Sequence, residues 1–218
     1  MPYAGGSVDV VVRAGPTCPH GPAPSACRGG GIAVTRIVAG TAGGRRLRVP
    51  PAGTRPTSDR VREALFNALS ARMDFDGIRV LDLYAGSGAL GLEALSRGAS
   101  HALLIESDRK AAAVIRGNIT DLDVPGAELR LGTVASVLAT APAEPYDLVL
   151  SDPPYAVADA AVEADLRALS ANGWLHGDAL IVVERSARSP ETAWPAGYSA
   201  LKSRRYGETR VDLAEYHG

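Results

Sequence analysis

The chain has 218 residues, 46% hydrophobic and 22% charged, enough to bury one substantial core, which excludes collagen-like, coiled-coil and fully disordered classes. No run of about 18 uncharged apolar residues occurs, and Arg13 closes the Val10-Val11-Val12 patch, so neither a membrane span nor a secretory signal is expected and the expected compartment is the cytoplasm. The net charge of −1 hides an asymmetry: residues 1–62 carry nine Arg against Asp9 and Asp59, giving +7, while residues 63–218 carry 14 basic and 22 acidic residues, giving −8. A basic arm on an acidic body assigns contact with a polyanion to the arm.

Residues 1–31 hold 5 Pro and 7 Gly, almost no charge and no period of 2 or 3.6. Residues 1–34 therefore read as a disordered leader or a mis-assigned start. Cys18, His20 and Cys27 lie there. Three ligand types in a Gly/Pro-rich tract, without a fourth, predict no metal site, and the cysteines read as reduced thiols. From Ile32 to Val49 apolar and polar residues alternate around Gly40-Thr41-Ala42-Gly43-Gly44, which predicts a β-hairpin with arginines at its exposed positions. This basic module is bounded at residues 35–56 by Pro50-Pro51, Gly53 and Pro56.

The larger domain is expected over residues 57–218. Thr57-Ser58-Asp59 can cap a helix that runs to about Arg72, with Val61, Ala64, Leu65, Ala68 and Leu69 on one face. Strand-like segments then follow at Arg79–Leu83, Ala102–Glu106, Glu128–Leu131, Asp147–Leu150 and Leu180–Glu184. Helix-like segments separate them at Ala89–Arg97, Arg109–Thr120 and Val157–Leu169. Alternating β and α segments with Val/Ile/Leu strands predict an α/β fold, a parallel sheet covered on both faces. Two alternating runs, Tyr198–Arg205 and Thr209–Tyr216, meet at Gly207 and predict an antiparallel hairpin at the sheet edge.

Two motifs carry chemistry. Val80-Leu81-Asp82-Leu83 runs into Tyr84-Ala85-Gly86-Ser87-Gly88-Ala89-Leu90-Gly91, a strand, a G-x-G-x-x-G loop and a helix start. Glu106 ends the next strand 20 residues after Gly86, the distance at which a carboxylate reaches ribose hydroxyls. Together they predict a nucleoside-containing cofactor. Asp82 is poorly placed beside a pyrophosphate but suits the ammonium of a methionine moiety, which favours S-adenosylmethionine over a dinucleotide. A carboxylate capping the loop's own N–H groups is compatible with either ligand.

The second motif is Asp152-Pro153-Pro154-Tyr155 after Leu148-Val149-Leu150. Two prolines remove two N–H donors and stiffen the loop, so its polar offerings are acceptors, matched to a donor-rich substrate such as an exocyclic base amine. The Asp152 carboxylate and the Pro153 carbonyl can accept the two amine hydrogens and aim the nitrogen lone pair at a methyl group. Tyr155 offers a ring on which a flipped base stacks. An ordinary Asp pKa of about 3.9 makes Asp152 an orienting acceptor rather than a strong base.

These motifs resemble class I S-adenosylmethionine-dependent methyltransferases acting on amino nitrogen. With Arg36-Ile37-Val38-Ala39-Gly40, Gly44-Arg45-Arg46-Leu47 and the stretch Thr54-Arg55-Pro56-Thr57-Ser58-Asp59-Arg60-Val61-Arg62-Glu63-Ala64-Leu65-Phe66-Asn67, the chain resembles more narrowly the RsmD family of bacterial 16S ribosomal RNA guanine-N2 methyltransferases over about Thr35–Tyr216. The resemblance implies a Rossmann-like, seven-stranded sheet, mostly parallel with its last strand antiparallel, and a small N-terminal hairpin that helps hold RNA. It implies transfer of one methyl to the N2 amine of a guanine in 16S rRNA, within a small ribosomal subunit or an assembly intermediate. The expected cofactor set is Asp82, Tyr84, Gly86, Ser87, Gly88 and Glu106, and the expected catalytic set is the Asp152–Tyr155 tetrad. Arg36, Arg45, Arg46, Arg48, Arg55 and Arg60, with Arg204 and Arg205 on the terminal hairpin, are the expected RNA contacts. Where the wider superfamily places an acidic or amide residue on the cofactor adenine, this chain reads Leu131-Gly132-Thr133-Val134-Ala135-Ser136, leaving Thr133 or backbone for that contact.

Adenine-N6 methylation of DNA or RNA uses the same tetrad chemistry and is the close alternative. A non-catalytic RNA-binding protein would have no use for an intact loop and tetrad. A nicotinamide-dependent oxidoreductase conflicts with Asp82.

Overall fold

The computed structural model describes residues 34–50 and 59–218. The leader, the Cys18/His20/Cys27 tract, Arg55 and the Thr57-Ser58 cap lie outside the described residues. The expected hairpin is present as β1 (Val34–Arg36) paired antiparallel with β2 (Arg46–Arg48). Its turn docks on the end of helix α2 (Ala89–Ser96): Thr41 N donates to Ser96 O at 2.7 Å, Ala42 N to Ser96 Oγ at 2.9 Å. Gly40 is required there, because its φ is +82° and a Cβ would sit 1.7 Å from Ser96 O.

Helix α1 (Asp59–Ser70) buries Arg62, Leu65, Phe66 and Leu69, a stripe spaced three and four apart. The expected stripe began at Val61, and the structure rotates it onto Arg62. That guanidinium is 1% exposed; its Nη2 donates to Thr35 Oγ1 at 3.1 Å and Asp59 Oδ1 at 2.9 Å, and to Arg36 O. Its Nε lies 3.7 Å from Glu93, a fully buried carboxylate that also accepts from Val38 N, Ala39 N and Arg97 Nε. A periodicity search for apolar residues passes over an arginine that is buried because its partners are buried with it.

Then come β3 (Arg79–Leu83), α2, β4 (His101–Glu106), α3 (Arg109–Leu122), β5 (Ala127–Leu131), α4 (Val134–Leu138), β6 (Tyr146–Ser151), α5 (Asp159–Ala171) and β7 (Leu175–Ser186). The chain ends in β8 (Tyr198–Ala200), β9 (Arg204–Tyr206) and β10 (Thr209–Tyr216). The sheet order is β5-β4-β3-β6-β7-β10-β8, with β9 also on β10; β3 to β7 are parallel and β10 is antiparallel to β7. The α/β expectation is met. One edge position is split, since the run expected as a single strand from Tyr198 to Arg205 breaks at Leu201-Lys202-Ser203 into β8 and β9.

Period-two alternation sorts each strand onto two faces. Val80, Leu104, Leu148, Leu150 and Val182 pack with Leu65 and Phe66 of α1 and with Ile37 and Leu47 of the hairpin. Leu81, Leu83, Ile105, Val149 and Val183 pack with Val137, Leu166 and Trp174 on the other. The hairpin and the sheet share one core. Burying each such side chain contributes about 1.5–3 kcal/mol, and truncating Leu104 or Leu150 to Ala costs about 2–5 kcal/mol. Helix α4 is too short for a periodic signal, and β7 begins earlier than its apolar run because His176-Gly177-Asp178 is exposed.

Candidate active site

The chain leaves β3 towards β4 on one side and later returns to β6 on the other. At such a reversal the strand ends diverge and open a cleft. Here it is a cavity of about 300 Å³ above β3, β6 and β7, with the glycine loop on one wall and the tetrad on the other.

On the glycine wall, Ala85 N donates to Ile105 O at 2.9 Å and Gly88 N to Ala85 O at 2.7 Å, closing a tight turn. Glu106 brackets it, accepting from Gly86 N at 2.8 Å and Asp108 N at 2.7 Å. Gly86 and Ser87 line the cleft with Glu106. Gly88 does not. A Cβ at Gly88 would meet Leu104 Cδ2 at 2.9 Å and Leu92 Cδ1 at 3.2 Å, so this glycine is needed for packing beneath the loop rather than for a ligand's approach. Tyr84 holds a left-handed φ of 61° and donates from its hydroxyl to Asp165 Oδ2 at 2.6 Å. Burial first, and that bond, push the phenol's pKa up, so Tyr84 stays a neutral donor.

Asp82 is 1% exposed. Its Oδ2 accepts from Gly91 N at 2.9 Å; its Oδ1 is buried with no hydrogen-bond partner among the described residues, and the residue borders the cleft. Burial, with the charges of Asp152 and Glu106, pushes its carboxyl up to about 7. A buried acceptor without a donor costs about 1–3 kcal/mol, more when charged. A ligand ammonium at Oδ1 removes that cost. A pyrophosphate would meet the carboxylates of Asp82, Glu106 and Asp152, with Asp108 and Glu184 also on the lining, whereas the cationic sulfonium and ammonium of S-adenosylmethionine fit them. The residues present therefore fit that cofactor: Asp82 for the ammonium, Gly86 and Ser87 for backbone contact, and Glu106, whose remaining lone pairs are open to a ribose hydroxyl. Thr133 accepts from Ser136 N and caps α4, and it does not line the cleft; Ser107 and Asp108 do.

On the opposite wall, Asp152, Pro153, Pro154 and Tyr155 all line the cleft. Asp152 N reaches Leu83 O at 3.5 Å, continuing the β3–β6 ladder. Pro153 is buried, and Tyr155 is 66% exposed. The far end of this loop is tied by Arg185, whose Nη2 donates to Asp159 Oδ1 at 2.5 Å and Val157 O at 3.2 Å.

Residues 35–215 match the protein family described as Conserved hypothetical protein 95. Among curated proteins the chain is 40% identical to Ribosomal RNA small subunit methyltransferase D of Escherichia coli K12, covering 82% of this chain and 88% of that one. It is 36% identical to the protein of that name from Haemophilus influenzae, over 79% and 89%. Among solved structures the Escherichia coli protein yhhF superposes with a TM-score of 0.75 at 38% identity, covering 85% and 99%. The chain belongs to the RsmD family.

In this RsmD-family chain the expected RNA-contact arginines fall into two groups. Arg36 pairs with Asp59 at 3.3 Å and Arg48 with Asp121 at 2.6 Å, while Arg45 donates to the Leu122 carbonyl at 2.5 Å and to that of Asp121. They clamp the hairpin onto α1 and the end of α3. Arg46, Arg60, Arg204 and Arg205 are exposed, with no ion-pair partner among the described residues. Sequence reasoning also missed Asn118. This amide, 1% exposed, bonds both the N–H and the carbonyl of Arg48 and donates to Ser87 O at 2.9 Å, joining hairpin strand to glycine loop. Nothing short of the fold places those three segments together.

Proposed function

We propose that this protein methylates the exocyclic N2 amine of a guanine in 16S rRNA, with S-adenosylmethionine as donor, acting in the cytoplasm on a small ribosomal subunit or an assembly intermediate. The observation that carries the reading is Asp82, whose buried Oδ1 has no partner among the described residues, bordering the same cleft as the Asp152–Tyr155 tetrad. The names of the relatives support the RNA, and the family supports the base.

When bound, S-adenosylmethionine supplies a methyl whose bond to sulfur breaks as the N–C bond forms. The chain's own residues do the rest. Asp152 and the Pro153 carbonyl accept the amine hydrogens, which draws the nitrogen out of conjugation and directs its lone pair across the cleft. Once the nitrogen is cationic, its excess proton leaves towards Asp152. Tyr155, with most of its ring exposed, stacks on the flipped base. Arg185 holds the segment that follows the tetrad, and Tyr84, braced by Asp165, shapes the floor between the two ligands.

The test uses small subunits from a strain lacking this modification, methyl-labelled S-adenosylmethionine and nucleoside mass spectrometry of the 16S rRNA. Labelled N2-methylguanosine is expected. Label in N6-methyladenosine, or no transfer, would overturn the reading.

A further inference from the structure

The tetrad binds an amine but does not by itself distinguish guanine from the other amino-bearing bases. The neighbouring strand carries a second carboxylate at the same level. Strands β6 and β7 are parallel and in register, with Leu150 opposite Val182 and Ser151 opposite Val183. Leu150 and Val182 point into the same hydrophobic cluster. Period-two alternation therefore puts Asp152, two residues past Leu150, and Glu184, two past Val182, on one face at adjacent strand ends. Both line the cleft. Arg185, the next residue, also borders the cleft and holds the loop through Asp159.

Resting on the guanine-N2 reading above, we propose that Glu184 is the specificity-determining residue for the base: its carboxylate accepts N1–H of guanine while Asp152 holds the adjacent N2 amine. The chemistry of the bases makes a carboxylate selective at that place. In guanine the ring nitrogen between the amine-bearing carbon and the carbonyl carries a hydrogen. In adenine and cytosine the ring nitrogen beside the amine-bearing carbon, N1 and N3 respectively, is an acceptor. A carboxylate there gains a charge-assisted hydrogen bond from guanine and meets a lone pair in the other two. Buried polar groups left unpaired by the wrong base are the strongest source of discrimination available to a binding site.

The experiment compares two target nucleotides in the same small-subunit RNA, guanine and 2-aminopurine, the latter keeping the C2 amine but lacking N1–H and O6. The parent protein is expected to favour guanine by about 10- to 150-fold, the range of one charge-assisted hydrogen bond. In Glu184→Gln the amide N–H can serve the N1 lone pair of 2-aminopurine, so the preference should shrink to within a few-fold. Loss of O6 penalises parent and variant alike and leaves that difference intact. Glu184→Asp should recover part of the preference, and an unchanged thermal melt and cofactor affinity establish that the variants are folded. Equal rates on the two nucleotides by the parent, which requires no variant, would overturn the assignment while leaving the methyltransferase reading standing. A Gln variant slowed equally on both nucleotides would also overturn it, by showing a scaffold role. No N2-methylguanosine in the parent reaction would remove the guanine reading, and this assignment with it.

Discussion

The two walls of the cleft are built on opposite principles. The glycine wall is closed before any ligand arrives: the loop is bonded to Glu106 and Asn118, and Asp82 is buried beneath it. The tetrad wall is more open, its principal aromatic 66% exposed and its far end held by Arg185. A small cofactor is best met by a preorganised site, whereas a base within a folded RNA needs a receiving surface completed by the RNA itself. Damage to one wall should therefore act mainly on that wall's own ligand, the Asp152 charge felt by Asp82 being the link between them.

The largest effect is expected at Asp152. In Asp152→Ala the amine loses its orienting acceptor at the moment of transfer, and turnover should fall by about 10²- to 10⁴-fold, the usual contribution of a positioned acid–base group. Calorimetry well above pH 7, where Asp82 is ionised in both proteins, should show near-parental affinity for S-adenosylmethionine, because the bonds of the glycine wall are unchanged; nearer neutrality, loss of the Asp152 charge should ease Asp82 ionisation. A parallel loss of cofactor affinity would show that the walls are one unit.

Asp82→Asn should do the converse. It keeps an acceptor but removes the charge, and cofactor affinity should fall by about 10- to 150-fold, the equivalent of a charge-assisted bond. The pH dependence sharpens this. With its carboxyl near 7 in the free protein, Asp82 is protonated below that pH and offers the ammonium no charge, so affinity should rise as pH climbs through about 7 and then level off. The same shift has a consequence for folding. A carboxyl whose folded pKa lies above the ordinary 3.8 contributes stability that is lost as pH rises from there to about 7. Thermal melts of the free parent should show that slope, and Asp82→Asn should flatten both it and the binding profile.

Much of this was legible in the sequence because it is local. The strand, loop and helix around Gly86, the proline-stiffened tetrad and the β/α alternation each follow from residues a few positions apart. Gly88 marks the limit of that reading. The sequence pattern makes it a ligand-contacting glycine like Gly86, and only the packed core shows Leu104 and Leu92 filling the space instead. Arg62, Asn118 and Glu184 were illegible because their partners come from other elements: the hairpin and Glu93 for the first, Arg48 and Ser87 for the second, strand register for the third. The glycines give the test. Gly88→Ala should lower the melting temperature, reflecting about 1–3 kcal/mol of overpacking in addition to a strained φ of +78°. Gly86→Ala shares the strain of a positive φ, +59°, but meets no atom nearer than Tyr84 O at 3.9 Å, so it should lower the melting temperature less than Gly88→Ala while also weakening cofactor affinity.

The smallest effects separate the arginines, which sequence alone made equivalent. For an exposed arginine already satisfied by Asp121 or the end of α3, as Arg48 and Arg45 are, removal costs little stability, on the order of 0–1 kcal/mol. Its positive charge is also partly cancelled at short range, so it offers phosphates little. Arg46 and Arg60 carry no such partner among the described residues, and neither do Arg204 and Arg205 on β9. The body they sit on is net acidic, so unpaired positive charge is what lets RNA approach the open wall. Removing one arginine from a phosphate should flatten the slope of log K against log salt by about 0.7–0.9. Arg46→Ala with Arg60→Ala should therefore reduce that slope by about 1.4–1.8 in an RNA-binding titration, without changing which base is methylated. Arg45→Ala with Arg48→Ala should reduce it by much less while slightly lowering the melting temperature. Equal slopes for the two double variants would mean that RNA displaces the Asp121 and α3 partners, making the hairpin clamp itself part of the binding surface.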